Sequence, residues 1–428
     1  MGSTRSILPE NIDDIKRKMK KMLGGLAIFL GNYLPLFRDS RTRENADCFM
    51  KGLLSPLPRK TAEPIAELWD RERKTIQRFV GEGCWDDALL ENRMIREIGD
   101  KIGSPKGVLS VDPSAFPKQG KHSVGVDRQW CGNQGKIDNC QVGVFAGYSS
   151  PKGHTLVGKR LYLPEEWAKS KRLRRACKIP KTVFFKTKWE LADDLIQEVG
   201  SRLPHDWITS DSEFGRCQEW RDRLNGRKEQ YLLDVPCNTT FHHSISGECL
   251  AGTWKVSEYA ATLPQEKWVR FEVRKTANGI KYVDAVMVPI FTEKDDGTLR
   301  REILVIIRTV EKKPEIKFLL SNAPSNTSLG TLLKVADQHW LIEDCFKRAK
   351  GEVGLDQYEV RSWVGWHHHM TLSMLALWFL EIERIRHGTA FFPSDSSNHS
   401  LYHCRVPLPK ASGLESTGKA CVEANAQE

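Results

Sequence analysis

The chain has 428 residues, of which 40% are hydrophobic, and a formal net charge of +10. That length exceeds one small core and points to two or more structural units, while a pI of about 9.0 favours a polyanionic partner, nucleic acid being the commonest. The 11 cysteines include no Cys-x-x-Cys pair, so nothing matches zinc-ligand spacing, and their scatter fits free thiols in a reducing compartment.

In chain order, KRKMKK (16–21) before LGGLAIFLG (23–31) imitates a secretory leader. Acids stand upstream (Glu10, Asp13, Asp14), the apolar run is short and no small-residue cleavage site follows, so a soluble helix is expected. TLSMLALWFL (371–380) is about half a bilayer span and reads as a buried core helix, with no membrane partner. RENADCFMKGLL (43–54) and TAEPIAELWDRERKTIQRFV (61–80) carry helical periodicity, punctuated by Pro56 and Pro58, so residues 1–103 read as a helical region. GVLSVDPSAF (107–116) is a strand with an acid near its end, and NCQVGVFAGYSS (139–150) and HTLVGKRLYL (154–163) are further strands. KSKRLRRACKIPK (169–181) holds seven basic residues and no acid. A helix (186–203), a strand ending on Asp211, a helix (216–224) and the strand KEQYLLDVP (228–236) follow. Residues 238–315 show β-type runs with hairpin-like breaks, IKFLLSNAP (316–324) reads as a return strand, and 327–351 as a long helix. From 388 the chain is polar and aperiodic, and a poorly ordered tail is expected.

Strands interleaved with helices imply an α/β core, expected over 104–237 and 316–387 with the β-rich stretch 238–315 inserted between. Asp112 and Asp211 stand at strand ends, which gather at one edge of such a sheet. A helix packed there adds a third acid, and carboxylates brought together in this way call for a hard cation. Mg²⁺ or Mn²⁺ takes oxygen ligands, and two such ions about 4 Å apart clamp both sides of a phosphodiester. On the helix HWLIEDCFKRAK (339–350), at about 100° per residue, Ile342, Phe346 and Ala349 define the buried face. His339, Glu343 and Lys350 form a stripe bordering it, whereas Asp344 points away beside Arg348, as a solvated i,i+4 pair would. A lone helical Glu is ordinarily solvated and Asp is common in turns, so composition and periodicity leave the three acids undecided.

The segments VDPSAFPKQGKHSVGVDRQWCGNQGKIDNCQVGVF (111–145), ITSDSEFGR (208–216) and IEDCFKRAKGEVGLDQYEVRSW (342–363), with GLLSPLPRK (52–60) upstream, resemble the DDE transposases of bacterial insertion sequences. The resemblance is to the branch with a β-strand insertion between the second Asp and the Glu. It implies an RNase H-like catalytic core with Asp112, Asp211 and Glu343 as a metal-binding catalytic triad. It also implies Mg²⁺, with Mn²⁺ able to substitute, and double-stranded DNA, both terminal inverted repeats and target, as partner. A homodimer in a synaptic complex and a bacterial cytoplasmic, nucleoid-associated setting follow from the same likeness. Related transposases carry Tyr-x2-Arg-x3-Glu-x6-Lys around the third acid. Lys350 fits the last position and would hold DNA phosphate as a point charge. The Arg and Tyr positions hold His339 and Ala336, so phosphate grip is expected to be weaker there.

Further DNA contacts are expected at Lys118, Lys121 and Arg128, just after the first Asp, and at Lys171, Arg172, Arg174 and Arg175 in the basic run, whose alternative is a solvated face. Trp254 and Trp268 could stack on a flipped base, against the ordinary alternative of core packing. HHH (367–369) points three ways on a helix and suits structural or DNA-facing roles better than zinc. The helices of 1–103 are expected to bind terminal repeats, by position and analogy alone. A non-catalytic DNA-binding relic and an RNase H-like nuclease that cuts without joining remain as alternatives.

Overall fold

The computed structural model describes residues 24–245, 248–249, 252–276, 279–311, 313–387 and 405–406. The basic run 16–21 and, apart from 405–406, the tail from 388 lie outside the described residues. Helices α1 (24–31), α2 (Ser40–Leu53), α3 (Ala62–Leu68), α4 (Arg73–Glu82) and α5 (Asp87–Ile102) open the chain. Asp39 and Asp86 start α2 and α5 by accepting the free backbone N–H groups of Thr42 and Ala88.

Four strands follow, β1 (Val108–Pro117), β2 (Asp127–Cys131), β3 (Lys136–Ser150) and β4 (Gly153–Leu161), then helices α6 (Glu165–Lys169), α7 (Lys171–Ala176) and α8 (Lys188–Gly200). Next come β5 (Trp207–Ser210), α9 (Ser212–Gly215), α10 (Gln218–Gly226) and β6 (Tyr231–Val235). The inserted stretch contains β7 (Thr240–Ile245), β8 (Glu248–Cys249), β9 (Trp254–Lys255), α11 (Val256–Thr262), β10 (Val269–Thr276), β11 (Gly279–Glu293) and β12 (Leu299–Thr309). β13 (Ile316–Ser321), α12 (Leu329–Val353), α13 (Trp363–His387) and β14 (Arg405–Val406) complete the described elements.

One mixed sheet runs β14-β10-β11-β12-β13-β6-β5-β1-β3, with β2 and β4 sharing the far edge of β3. β1 pairs antiparallel with β3 and parallel with β5, which pairs parallel with β6. This is the RNase H-like α/β core. Strands covered on both faces must be apolar throughout, and β3 is buried from Cys140 to Ser149. The inserted strands β10–β12 continue the same sheet, because β13 pairs antiparallel with β6 on one edge and with β12 on the other.

The N-terminal helices share the main core. Phe29 packs on Phe379 of α13, with ring centroids 5.3 Å apart, and Trp85 stacks on His368 at 3.6 Å. Lys60, in the Pro-rich segment after α2, is buried and donates from Nζ to the carbonyls of Leu53, Ser55 (2.7 Å) and Glu352 (2.6 Å). It thereby caps the C-terminal turn of α12 across the fold. That helix ends on Gly354 at φ +66°, where a Cβ would stand 2.8 Å from the Cβ of Lys60. No helix among the described residues is long and apolar enough to cross a membrane, and the nine described cysteines are free thiols.

Candidate active site

Register fixes the first two acids. β1 and β5 run parallel with Val111 opposite Ser210, so the next residue of each, Asp112 and Asp211, emerges side by side. Adjacent strands lie about 4.8 Å apart. Asp211 also caps α9, its Oδ1 accepting from the N–H of Glu213 at 3.1 Å and of Phe214 at 3.3 Å. The third acid arrives on α12, which lies close over the strands because β3 has a glycine beneath it. A Cβ on Gly147 would stand 3.0 Å from Ile342, and Gly147 is the register partner of Ser110 on β1. Ile342 therefore sits above β1 near Asp112, and Glu343 beside it is exposed at the sheet edge.

Asp112 and Asp211 are half-buried. Burial, then the charges of Asp211, Glu343 and Glu213, push the Asp112 carboxyl far above the usual carboxylate range. Burial and Glu213 raise Asp211 to about 7, the hydrogen bonds from α9 opposing this only in part. Among the described residues no three His, Cys, Asp or Glu side chains already close into a metal-binding group. Instead the acids stand near enough to oppose one another's ionisation. Two half-buried carboxylates with an exposed third beside them, short of positive charge, fit a hard divalent cation.

Lys350 supplies one nearby cation. It lies 5.5 Å from the ring centre of Phe116 and 5.9 Å from that of Phe346, half-buried, with burial lowering its pKa against the opposing pull of Asp356 and Asp112.

Two acids are not singled out by the sequence pattern. Asp234 is the residue of β6 after Leu233, which pairs with Ser210, so it continues the row Asp112–Asp211 across a third parallel strand. Burial raises it to about 6 although Lys317 lies 3.7 Å away, and Glu343 adds to the rise. The available signal is that KEQYLLDVP also carries an acid near its end. Gly215 lets α9 press onto this strand, since a Cβ there would fall 2.0 Å from the Asp234 carbonyl oxygen. Glu213 is exposed and bonded to Lys188 at 2.6 Å.

Several expected roles are corrected. Asp344 is buried, not solvated, and bonds the Nε2 of His154 at 3.0 Å. Arg348 is buried too and donates to Glu381 at 3.0 Å rather than to Asp344. The cause is β4 and α13 together, which cover the side of α12 that a helix wheel leaves in water. His339 is buried and contacts Thr209 Oγ1 through Nδ1 at 3.2 Å, and Thr209 contacts Ser110 at 2.8 Å. It ties α12 to the two strands that carry the aspartates, and burial with the charge of Lys317 lowers its pKa to about 4, so it brings no positive charge. Trp268 is buried with the Arg308 guanidinium 4.2 Å from its ring centre, which rules out base stacking on that face. Trp254 stays exposed.

Lys118 lies 3.4 Å over the Tyr358 ring and donates to that residue's carbonyl at 3.2 Å, while burial lowers its pKa to about 8. Arg174 is spent on the carbonyls of Ala168, Pro180 and Val183. Lys121, Arg128, Lys171, Arg172 and Arg175 are exposed. His368 bonds the carbonyls of Val80 and Trp85, both at 3.0 Å, and His369 that of Gly354 at 3.1 Å, so these two histidines are structural.

An RNase H-like sheet whose parallel strands end in clustered carboxylates is the architecture of a nucleic-acid-cutting class. The DDE superfamily endonuclease family matches residues 32–247, and the chain belongs to that family. The matched stretch contains Asp112 and Asp211, whereas Glu343 lies beyond it. A probable transposase for insertion sequence element IS701 from Microchaete diplosiphon is 28% identical over 190 residues, 43% of this chain. The match spans 46% of that relative, less than half of its length.

Proposed function

We propose that this chain is a DDE transposase that cuts the ends of an insertion sequence and joins the freed 3′ ends to target DNA. The observation that carries the reading is the placement of Asp112 and Asp211 on neighbouring parallel strand ends, with Glu343 laid beside them by α12. These three carboxylates would hold divalent metal, Mg²⁺ or its substitute Mn²⁺. When bound, the metal would lower the pKa of a nucleophilic water or 3′-hydroxyl and offset charge on the leaving oxygen. Asp112 and Asp211, whose carboxyls are raised in the free protein, would have to give up their protons to serve as ligands, so metal binding would release protons.

The chain's own residues do the rest. Lys350 presents its ammonium beside Asp112 to a phosphate oxygen near the scissile bond. His339, through Thr209, fixes the height of α12 over the strands and so the reach of Glu343. The helical region 1–103 engages the terminal inverted repeats, two copies of the chain pair the two ends in a synaptic complex, and the work is done at the bacterial nucleoid.

The test is incubation with Mg²⁺, a labelled duplex carrying the element's own end, and a target plasmid. Nicking at the end followed by joined product is expected. Nicking without joined product would favour the nuclease reading, and binding without nicking the relic.

A further inference from the structure

A cleft of about 840 Å³ lies away from the carboxylates, between α4, α7 and the segment 357–362. Seven Lys or Arg residues and two Glu residues line it. Both glutamates already face a cation, Glu82 with Lys178 at 3.9 Å and Glu359 with Arg59 at 3.6 Å. Five of the lining cations are exposed and have no ion-pair or hydrogen-bond partner for their side chains among the described residues: Lys74, Arg78, Lys121, Arg172 and Arg361. They come from four separate segments of the chain. A solvated charged face does not need four segments to converge on one concave wall.

The cleft also borders the strand that carries Asp112. Phe116 follows Asp112 by four residues on β1, about 13 Å along the strand. The Tyr358 ring, which lines the cleft, packs against Phe116 with centroids 5.8 Å apart. At 3.4 Å per nucleotide, about 13 Å is roughly four nucleotides of one strand.

We propose that this cleft holds the sugar–phosphate backbone of duplex DNA, a few nucleotides away from the bond that is cut. The inference rests on the transposase reading for the identity of the polyanion, and it adds Lys74, Arg78 and Arg361 to the DNA-contacting surface. The contact is to phosphate and carries no sequence information. The cleft therefore positions the duplex while other parts of the protein read it.

The test uses the full chain, a duplex of unrelated sequence and a salt titration without divalent metal, binding being followed by fluorescence anisotropy. Each phosphate that is no longer neutralised by a side-chain cation reduces the steepness of log K against log salt by about 0.9. Lys74→Ala/Arg78→Ala/Arg361→Ala should thus flatten the slope by about 2–3, and the pair Lys74→Ala/Arg78→Ala by about 2. Unchanged melting temperatures establish that the variants fold, and the pair serves if the triple variant does not. An unchanged slope overturns the inference and leaves the cleft to another kind of partner. The transposase reading falls separately, if the wild type fails to nick its element's end in Mg²⁺ whatever the slope does.

Discussion

Asp211→Asn should stabilise the metal-free protein at pH 8. The Asp211 carboxyl is raised from 3.8 to about 7 because it is half-buried beside Glu213 and Asp234. A folded-state pKa above the unfolded one means a contribution that is fully present below about pH 4 and lost as pH rises through about 7. At about 1.4 kcal/mol per pKa unit, the ceiling is roughly 4 kcal/mol, and partial exposure and relaxation reduce it to about 1–3 kcal/mol. Asparagine keeps the cap, since its side-chain oxygen can still accept from the N–H groups of Glu213 and Phe214. Scanning fluorimetry from pH 4 to pH 9 without metal should therefore show wild type losing stability relative to Asp211→Asn through neutral pH. The gap should be a few degrees of Tm at pH 8 and close to zero at pH 4. Added Mg²⁺ should raise the wild-type Tm at pH 8 and leave the variant nearly unmoved. A variant no more stable than wild type at pH 8, with parallel pH profiles, would refute the crowding of carboxylates on which the site rests.

Asp344→Ala should cost about 2–3 kcal/mol in a denaturant titration, because it strands the buried His154. Lys60→Met should be destabilising by about 2–4 kcal/mol in the same assay, since one buried and two partly buried carbonyls are left without their donor. Lys350→Ala should leave Tm within a degree or two while lowering the nicking rate about tenfold or more, the value of one phosphate contact near the reacting bond; an unchanged rate would remove Lys350 from the site.

The aspartates were legible because a strand that ends on an acid carries its own address: the apolar run gives the strand and parallel register brings neighbouring ends together. Glu343 was legible as a stripe beside Ile342, Phe346 and Ala349. The same wheel misread Asp344 and Arg348, because it assumes one buried face. α12 has a second buried side, where His154 of β4 meets Asp344 and Glu381 of α13 meets Arg348. No local pattern shows that a distant helix will bring Glu381 to Arg348. His339 failed for a related reason: periodicity placed it beside Glu343, but only the tertiary contact with Thr209 shows that it faces inward. Asp234 needed the strand order, since its strand end matters only once β6 is known to lie beside β5. The inserted strands were legible as strands, yet their place in the main sheet rests on the pairing of β13 with β6, which neither segment encodes alone.

Adjacent residues on α12 offer the sharpest test. Glu343 is exposed beside Asp112, while Asp344 is buried against His154. With Mg²⁺ and a labelled duplex carrying the element's end, wild type and Asp344→Asn should both nick, and Glu343→Gln should not, although it melts at the wild-type temperature. Nicking by Glu343→Gln at the wild-type rate would contradict the account.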